Sequence, residues 1–544
     1  MRKRHLFSIT VGLCTALSSF GQNNTNRLDT IYKQIEKGQY QPSNYNTACL
    51  FAVKGDGEIA LKYLEAAIDN DNFDNVKTIS EDSDLVSLHK HVAWEDLIGR
   101  VKRNAERNQR FNKLFFNDKG FWDSKFLKSP FRANLSQEEK IIGLSKLWSE
   151  LKYNFANFDL SVPVHIDSLY RTYLPKVEQA TSTLQYVFLL EEMVAQLHDA
   201  HTNVNAPQEL IDSIYARPLL RSRMIEDKVI VVGVYDNKLT QAGIVVGDEI
   251  LQVNGMPVKD YAEKAIIPYQ SCSTKQDRLV RGYEYALFRG KVDEPIRLLL
   301  SDRKGKKYER IIDRVKASER SAKVNYLPFE FKMLPGNIAH VILNSFGSDE
   351  VVKGFRQNFD QIAKADAIIF DVRNNGGGST GYGWSILGSL ISQGQWGNAA
   401  YTRTYKPSFR AWGYNQPVEL GRGYLKADPE HHYGKPVVVL TSARTFSAAE
   451  DFAAAFRMLS RGKIIGEATG GSSGQPLMID LVGNITARIC SKRDLLADES
   501  EFIGKGVQPD IQCEQTLADL WKNEDTVLKV ALEELRIQKF IGRK

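Results

Sequence analysis

The sequence predicts a multidomain protein organised around an α/β core, and three observations carry that prediction. At 544 residues the chain is too long for one hydrophobic core. From residue 325 onward, short β-branched strands alternate with helical segments, the pattern of a layered α/β core. Ahead of that region the character changes, from helical periodicity up to about residue 205 to dense strand signals over residues 206–320.

Residues 1–21 read as a signal peptide. Arg2, Lys3 and Arg4 precede an apolar run from Leu6 to Phe20, and Ser18, Ser19 and Gly21 suit a cleavage site before Gln22. The run is shorter than the roughly 20 apolar residues a membrane span needs. Gly12 and Leu13 before Cys14 fit a lipoprotein signal poorly. No later segment is apolar enough to span a bilayer, so the expected location is periplasmic or extracellular. Of 72 Lys and Arg, three lie in the signal, and the remaining 69 against 66 acidic residues leave a charge near +3. That balance gives no basis for nucleic acid or an anionic membrane as partner. Cys49, Cys272, Cys490 and Cys513 are scattered and lack metal-ligand spacing. Buried free thiols are expected, with a Cys490–Cys513 bridge the one pairing left open.

Residues 22–130 form a helical region. In YNTACLFAVKGDGEIALKYLEAAI (45–68), Gly55-Asp56-Gly57 separates two helices that carry small residues at Ala48, Ala52, Ala60 and Ala67. The segment resembles one tetratricopeptide unit, which cannot bury its own face alone and is expected to brace on neighbouring helices. Residues 131–205 are also helical. Ser136 is the expected N-cap of the first helix, with Glu138 and Glu139 in its first turn. A second helix leads into LHDAHTNV (197–204).

In the strand-rich stretch, VIVVGV (229–234) is followed by QAGIVVGDEILQVNG (241–255). A short helix is expected to end at Gly243, a tight turn to lie at Gly247-Asp248, and a hairpin to close at Asn254-Gly255. This arrangement over 206–320 resembles a PDZ domain, which implies capture of an extended peptide at a sheet edge. Its carboxylate-holding loop would fall near Ala216–Arg223.

The chemistry-bearing residues lie on both sides of this insert. In VVVLTSARTFSAAEDFAAAF (437–456) a buried strand ends at Ser442 and Ser447 opens an alanine-rich helix. A serine there is either a plain N-cap or a nucleophile whose oxyanion would form beside free backbone N–H groups. DVRNNGGGS (371–379) follows another buried strand, and its consecutive glycines allow close backbone approach. His201 sits in LHDAHTNV among residues that favour an ordered turn. GVQPDI (506–511) reads as a turn leading into a final edge strand.

In chain order, LxDxHT, the PDZ-like insert, SF at a strand end, DxRxNxGG, TxSxAE, IGExTxG and GVxPDI match one family. Over about residues 135–515 the chain resembles the C-terminal processing (tail-specific) and tricorn-core serine peptidases. The resemblance implies a ClpP/crotonase-like α/β core at 321–515, followed by a C-terminal helix in 516–544. It implies Ser447 as nucleophile, and Gly376, Gly377 and the Ala448 N–H as the oxyanion site. It implies a protein or peptide substrate and no metal or organic cofactor. Ser-Lys members carry a lysine where Ser472 stands here, and none lies between Lys463 and Lys492. His201 matches the base of the tricorn-like branch instead. That branch has a serine before the histidine and a glutamate before GVxPDI, where this chain has Ala200 and Ile503. Glu501 and Asp199 are the candidates to orient His201.

The expected activity is that of an exported serine endopeptidase. The competing readings are a catalytically weak or inactive binding scaffold and a ligand-binding core on the same fold. Residues 391–434 are expected to form a long irregular lid, with Arg403, Arg410 and Trp412 lining the substrate groove.

Overall fold

A computed structural model describes residues 43–114, 119–160, 164–324 and 326–541, and the expected signal peptide lies outside them. The chain divides into two compact units, Met1–Lys125 and Phe126–Lys544. Among the described residues no helix is long and apolar enough to cross a membrane.

In the first unit, the helices Asn44–Lys54 and Gly57–Asp69 form a hairpin. Ser43 caps the first helix by accepting from Asn46 N–H at 3.2 Å. Gly55 ends it at φ 89°, where its N–H bonds Ala52 O and that of Asp56 bonds Phe51 O. Ala48, Ala52, Ala60 and Ala67 are buried, so the small residues sit where the helices meet. A third helix, Trp94–Leu114, covers the pair through Leu97 and Val101. Its Asn104 amide donates to the Ile68 and Phe73 carbonyls at 2.9 and 3.0 Å.

The second unit is mixed α/β and multidomain. Its central sheet runs, in spatial order, Ile511–Gln512, Gly462–Gly466, Val437–Thr441, Ala367–Asp371, Ile338–Leu343, Phe329–Leu334. All pairs are parallel except the last. Every residue of Ala367–Asp371 and Val437–Thr441 is buried, as a parallel sheet covered on both faces requires. The helix Ala448–Leu459 packs on one face through Phe452 and Phe456. On the other face Val527, Ala531 and Leu535 of Thr526–Ile541 cover Ile369, Val438 and Leu440. The single terminal helix expected from the sequence is two, Leu517–Trp521 and Thr526–Ile541, parted by Asn523 at φ 57°.

Helices Gln137–Asn154, Ile166–Gln179 and Thr183–Ala195 form a layer of their own. Ser136 caps the first in a reciprocal box with Glu139, at 3.2 and 2.9 Å. This layer shares one core with a three-stranded sheet, Asn203–Asn205, Thr486–Cys490, Pro476–Asp480. The strand Thr486–Cys490 therefore belongs beside the His201 region and outside the central sheet.

Between the helical layer and the central sheet, the chain makes an antiparallel sheet of Leu220–Ile225, Lys228–Val234, Glu249–Val253, Ile296–Ser301 and Lys307–Ile312. Met256–Pro257 pairs with Glu249–Val253 around Asn254-Gly255, both at positive φ, the two-residue hairpin geometry. Gly243 and Gly247 adopt φ 83° and 97°. Arg217 and Val315 bridge each other, so the entry and exit of this insert lie together.

Residues 391–434 are ordered rather than irregular. They contain the antiparallel strands Gln395–Arg403 and Val418–Leu425, which continue onto Lys492–Leu495. Gly397, Gly421 and Gly423 interrupt the apolar alternation that would announce these strands. The Trp384 indole fills the space where side chains at 397 and 423 would stand. Arg403 donates to the Phe155 carbonyl at 2.6 Å and so anchors the hairpin to the helical layer. Arg410 and Trp412 are exposed at its tip, and Trp412 clusters with Phe409 and Tyr414. Gly423→Val is expected to lower stability by about 1–3 kcal/mol through collision with Trp384. The measurement is the thermal midpoint of the full chain; an unshifted midpoint would show that the indole relocates freely.

Candidate active site

Ser447 stands between the strand Val437–Thr441 and the helix Ala448–Leu459. The intervening turn is fastened to the glycine loop beside it. Ser442 Oγ donates to Arg373 O at 2.6 Å, Thr445 Oγ1 to Val372 O at 2.9 Å, and Phe446 N–H to Asn375 O at 3.0 Å. Ser447 itself adopts φ 58° and ψ −128°, a backbone state that costs a non-glycine residue about 1–3 kcal/mol. Glu450, one turn into the helix, accepts the Ser447 N–H at 3.2 Å. The Ser447 hydroxyl points to His201, with 3.0 Å between Oγ and Nε2. It is therefore not spent as a plain helix cap.

His201 is placed by its own turn. Asp199 accepts the His201 N–H at 3.0 Å, the Thr202 hydroxyl at 3.0 Å and the Asn157 amide at 2.8 Å. Thr202 Oγ1 accepts the Cys490 N–H at 3.1 Å, which ties the turn to the strand Thr486–Cys490. The imidazole is buried and stacks on Phe446, with centroids 4.7 Å apart and planes 8° apart. Its second nitrogen, Nδ1, lies 2.7 Å from Ser472 Oγ.

Neither carboxylate expected to orient His201 bonds its ring. Glu501 pairs with Arg493 at 2.7 Å, and Asp199 shapes the backbone turn instead. Ser472 holds the orienting position. The sequence marked this residue only as the place of a missing lysine. What brings it there is Glu450, whose buried carboxylate accepts from Ser472 N–H at 2.9 Å, Gly471 N–H at 2.7 Å and Thr469 Oγ1 at 2.6 Å. An acidic residue three positions after a helix-opening serine was the available signal for that role.

The glycine loop meets Ser447 closely. A Cβ on Gly377, at φ 99°, would lie 2.6 Å from Ser447 Cβ and 2.8 Å from Phe446 O. The Gly377 N–H, expected as an oxyanion donor, is already taken by Asn375 Oδ1 at 2.9 Å. This residue's contribution is therefore space. Gly376 is exposed with open room around it, and Ala448 is the first residue of the helix. Neither backbone N–H has an acceptor among the described residues. Both remain available to a developing negative charge.

Burial pushes the His201 imidazole down to about 3, with Arg488, Arg281 and Lys492 adding to the same effect. The ring is neutral at physiological pH and can accept a proton. Burial raises Glu450 to about 8 despite its four donors. Among the described residues one group could hold a metal, Cys49, Asp82 and Asp84, and it belongs to the first unit. Asp82 there is already engaged as the cap of Ser83–Leu88 and as acceptor of the Tyr45 hydroxyl. Among the described residues Cys49, Cys272, Cys490 and Cys513 form no disulfide, so Cys490 and Cys513 are not bridged.

Residues 337–513 match the profile of peptidase family S41. The carboxy-terminal processing protease CtpA of Bacillus subtilis is 28% identical over 279 residues, 50% of this chain and 50% of that protein. The tail-specific protease of Haemophilus influenzae is 32% identical over 189 residues, 34% of this chain and 24% of its own length. The chain thus spans half or less of the curated relatives it matches. Among solved structures, mature CPAF complexed with lactacystin superposes with a TM-score of 0.59 at 14% identity, covering 74% of this chain and 99% of that one. At that identity the likeness concerns the fold. Ser447 thus lies within the stretch that matches peptidase family S41, and over part of its length the chain is similar to C-terminal processing proteases.

Proposed function

We propose that this peptidase is a serine-type endopeptidase that cleaves unfolded, precursor or C-terminally presented protein segments by acyl transfer. The observation that carries this reading is the 3.0 Å separation of Ser447 Oγ and His201 Nε2. As Ser447 attacks the scissile carbonyl, its proton passes to Nε2, and the imidazolium later gives that proton to the leaving amine. The N–H groups of Ala448 and Gly376 receive the oxyanion. A water then attacks the acyl-enzyme with His201 again as base. Nδ1 keeps its proton throughout and directs it to Ser472 Oγ, which fixes the tautomer. The antiparallel insert would act as a PDZ domain and deliver an extended segment, and the basic, apolar N-terminus fits export.

The absence of a carboxylate at Nδ1 favours a second reading, a slow or silent enzyme that serves as a binding scaffold. Ser447→Ala separates the two. Turnover of an unfolded protein by the native chain should fall by about 10³-fold or more in the variant, with the thermal midpoint retained; equal turnover in both would sink the peptidase reading. Ser472→Ala removes one neutral hydrogen bond and is expected to lower kcat about tenfold with little change in KM. An unchanged kcat would show that Phe446 stacking alone orients the ring.

The depressed His201 value sets the pH dependence. Its folded-state pKa lies below the ordinary 6.5, so the competent neutral form persists as pH falls through that region. On a substrate without titrating groups, kcat/KM should change less than about twofold between pH 7 and 5, where an unperturbed imidazole would lose about twentyfold. A midpoint near 6.5 would contradict the buried, carboxylate-free environment. Below about 6.5 the unfolded chain binds the extra proton, so acid also erodes stability, and the assay is confined to conditions where the fold persists.

A further inference from the structure

Arg488 is the cation most strongly felt by His201, and among the described residues its Nε has no hydrogen-bond partner. It lies on Thr486–Cys490, two residues before the Cys490 N–H that anchors the His201 turn. Its Nε is buried with no hydrogen-bond acceptor, and its guanidinium forms no ion pair among the described residues. Three other arginines of this unit are ion-paired. Arg493 is held by Asp159 and Glu501, Arg373 by Asp371 and Asp525, and Arg281 by Asp277 at 2.8 Å. The carboxylate acting on Arg488, Asp199, also accepts from four neighbouring donors, and the Arg281 cation repels Arg488. Burial, with Arg281 adding to it and only partly offset by Asp199, holds Arg488 below its usual pKa. A half-buried, only partly compensated guanidinium is a standing cost to the fold.

The charge is also reachable. In the three-stranded sheet, Arg488 stands in register between Asn203 and Met478, and Met478 is 55% exposed. Cross-strand partners share a sheet face, so this row leads from the turn bearing His201 out to solvent. Arg281 lies over the Phe446 ring at 5.1 Å, on which His201 stacks, and reinforces the positive field.

We propose that Arg488 is a specificity residue that binds a carboxylate of the substrate beside the reacting pair. The carboxylate is either an Asp or Glu side chain near the scissile bond or the terminal carboxylate of the chain. Arg488 offers a planar donor fork suited to that group. A bound anion would also offset the cations that hold His201 down, so a substrate of this kind would strengthen the base that takes the proton from Ser447. The location rests on Ser447 and His201 as the reacting pair; carboxylate binding does not.

The test is therefore a binding experiment on full-length Ser447→Ala protein, in which cleavage plays no part. Three labelled peptides are compared by fluorescence anisotropy: one with an internal Glu and a free C-terminus, its Glu→Gln counterpart, and its C-terminal amide. The acidic peptide should bind about tenfold more tightly than one of the two neutral counterparts, and which one identifies the carboxylate. Adding Arg488→Met, which keeps an apolar stem on the strand, should abolish that preference, and Arg488→Lys should retain part of it. Absence of any preference, or a preference undiminished by Arg488→Met, overturns the proposal. If Arg488→Met fails to fold by thermal melt, Arg488→Gln takes its place with the same criteria. Should the peptidase reading itself fail, the anisotropy result still stands or falls alone.

Discussion

The rest of the site depends on one contact, the meeting of Ser447 Oγ and His201 Nε2 across 246 residues of sequence. Each partner is held by a buried carboxylate that touches neither reacting atom. Asp199 gathers the backbone and side chains of the His201 turn. Glu450 gathers Ser447, Gly471, Ser472 and Thr469. The strained Ser447 backbone is affordable only because these bonds, and those from the turn to Val372, Arg373 and Asn375, over-determine it. The rigid central sheet sets the position of Ser447, while the helical layer and its three-stranded sheet set that of His201.

The electrostatics of this pair differ from those of a histidine backed by a carboxylate. Ser472 supplies direction at Nδ1 but no negative charge, and the surrounding cations oppose protonation. An imidazolium formed at His201 under the proposed mechanism would thus be stabilised less than in a Ser-His-Asp arrangement, and that mechanism implies a modest rate. The insert reaches this region directly. Ser273 accepts the Ala200 N–H at 2.9 Å, Thr274 donates to Gly470 O at 2.9 Å, and Gln276 donates to Thr469 O at 2.9 Å. Arg444, three residues before Ser447, pairs with Glu284 of the insert, which also holds Arg221 and Arg223. Movement of the insert would therefore be felt by both loops that carry the reacting groups.

Much of the architecture was legible in the sequence. Unbroken β-branched runs marked the central strands because burial on both faces leaves no polar alternation to confuse. Gly55, Gly243, Gly247 and Asn254-Gly255 marked turns because their positive φ values suit few other residues. The hairpin of residues 395–425 was hidden because its glycines answer to Trp384, a long-range partner that local pattern does not disclose. In the site, motif order pointed to Ser447 and His201, yet the group at Nδ1 was missed. A search for a base or a carboxylate passes over a serine. Only the fold shows that Glu450 presents Ser472 to the ring, and that Asn375 removes Gly377 from the free donors.

The most direct measurement is the mass of the intact protein after exposure to a fluorophosphonate, followed by mapping of the modified residue. The account predicts a single adduct on Ser447 in the native chain, and its loss when His201 is replaced by alanine. No adduct on Ser447 in folded native protein, or labelling that proceeds equally without His201, would contradict it.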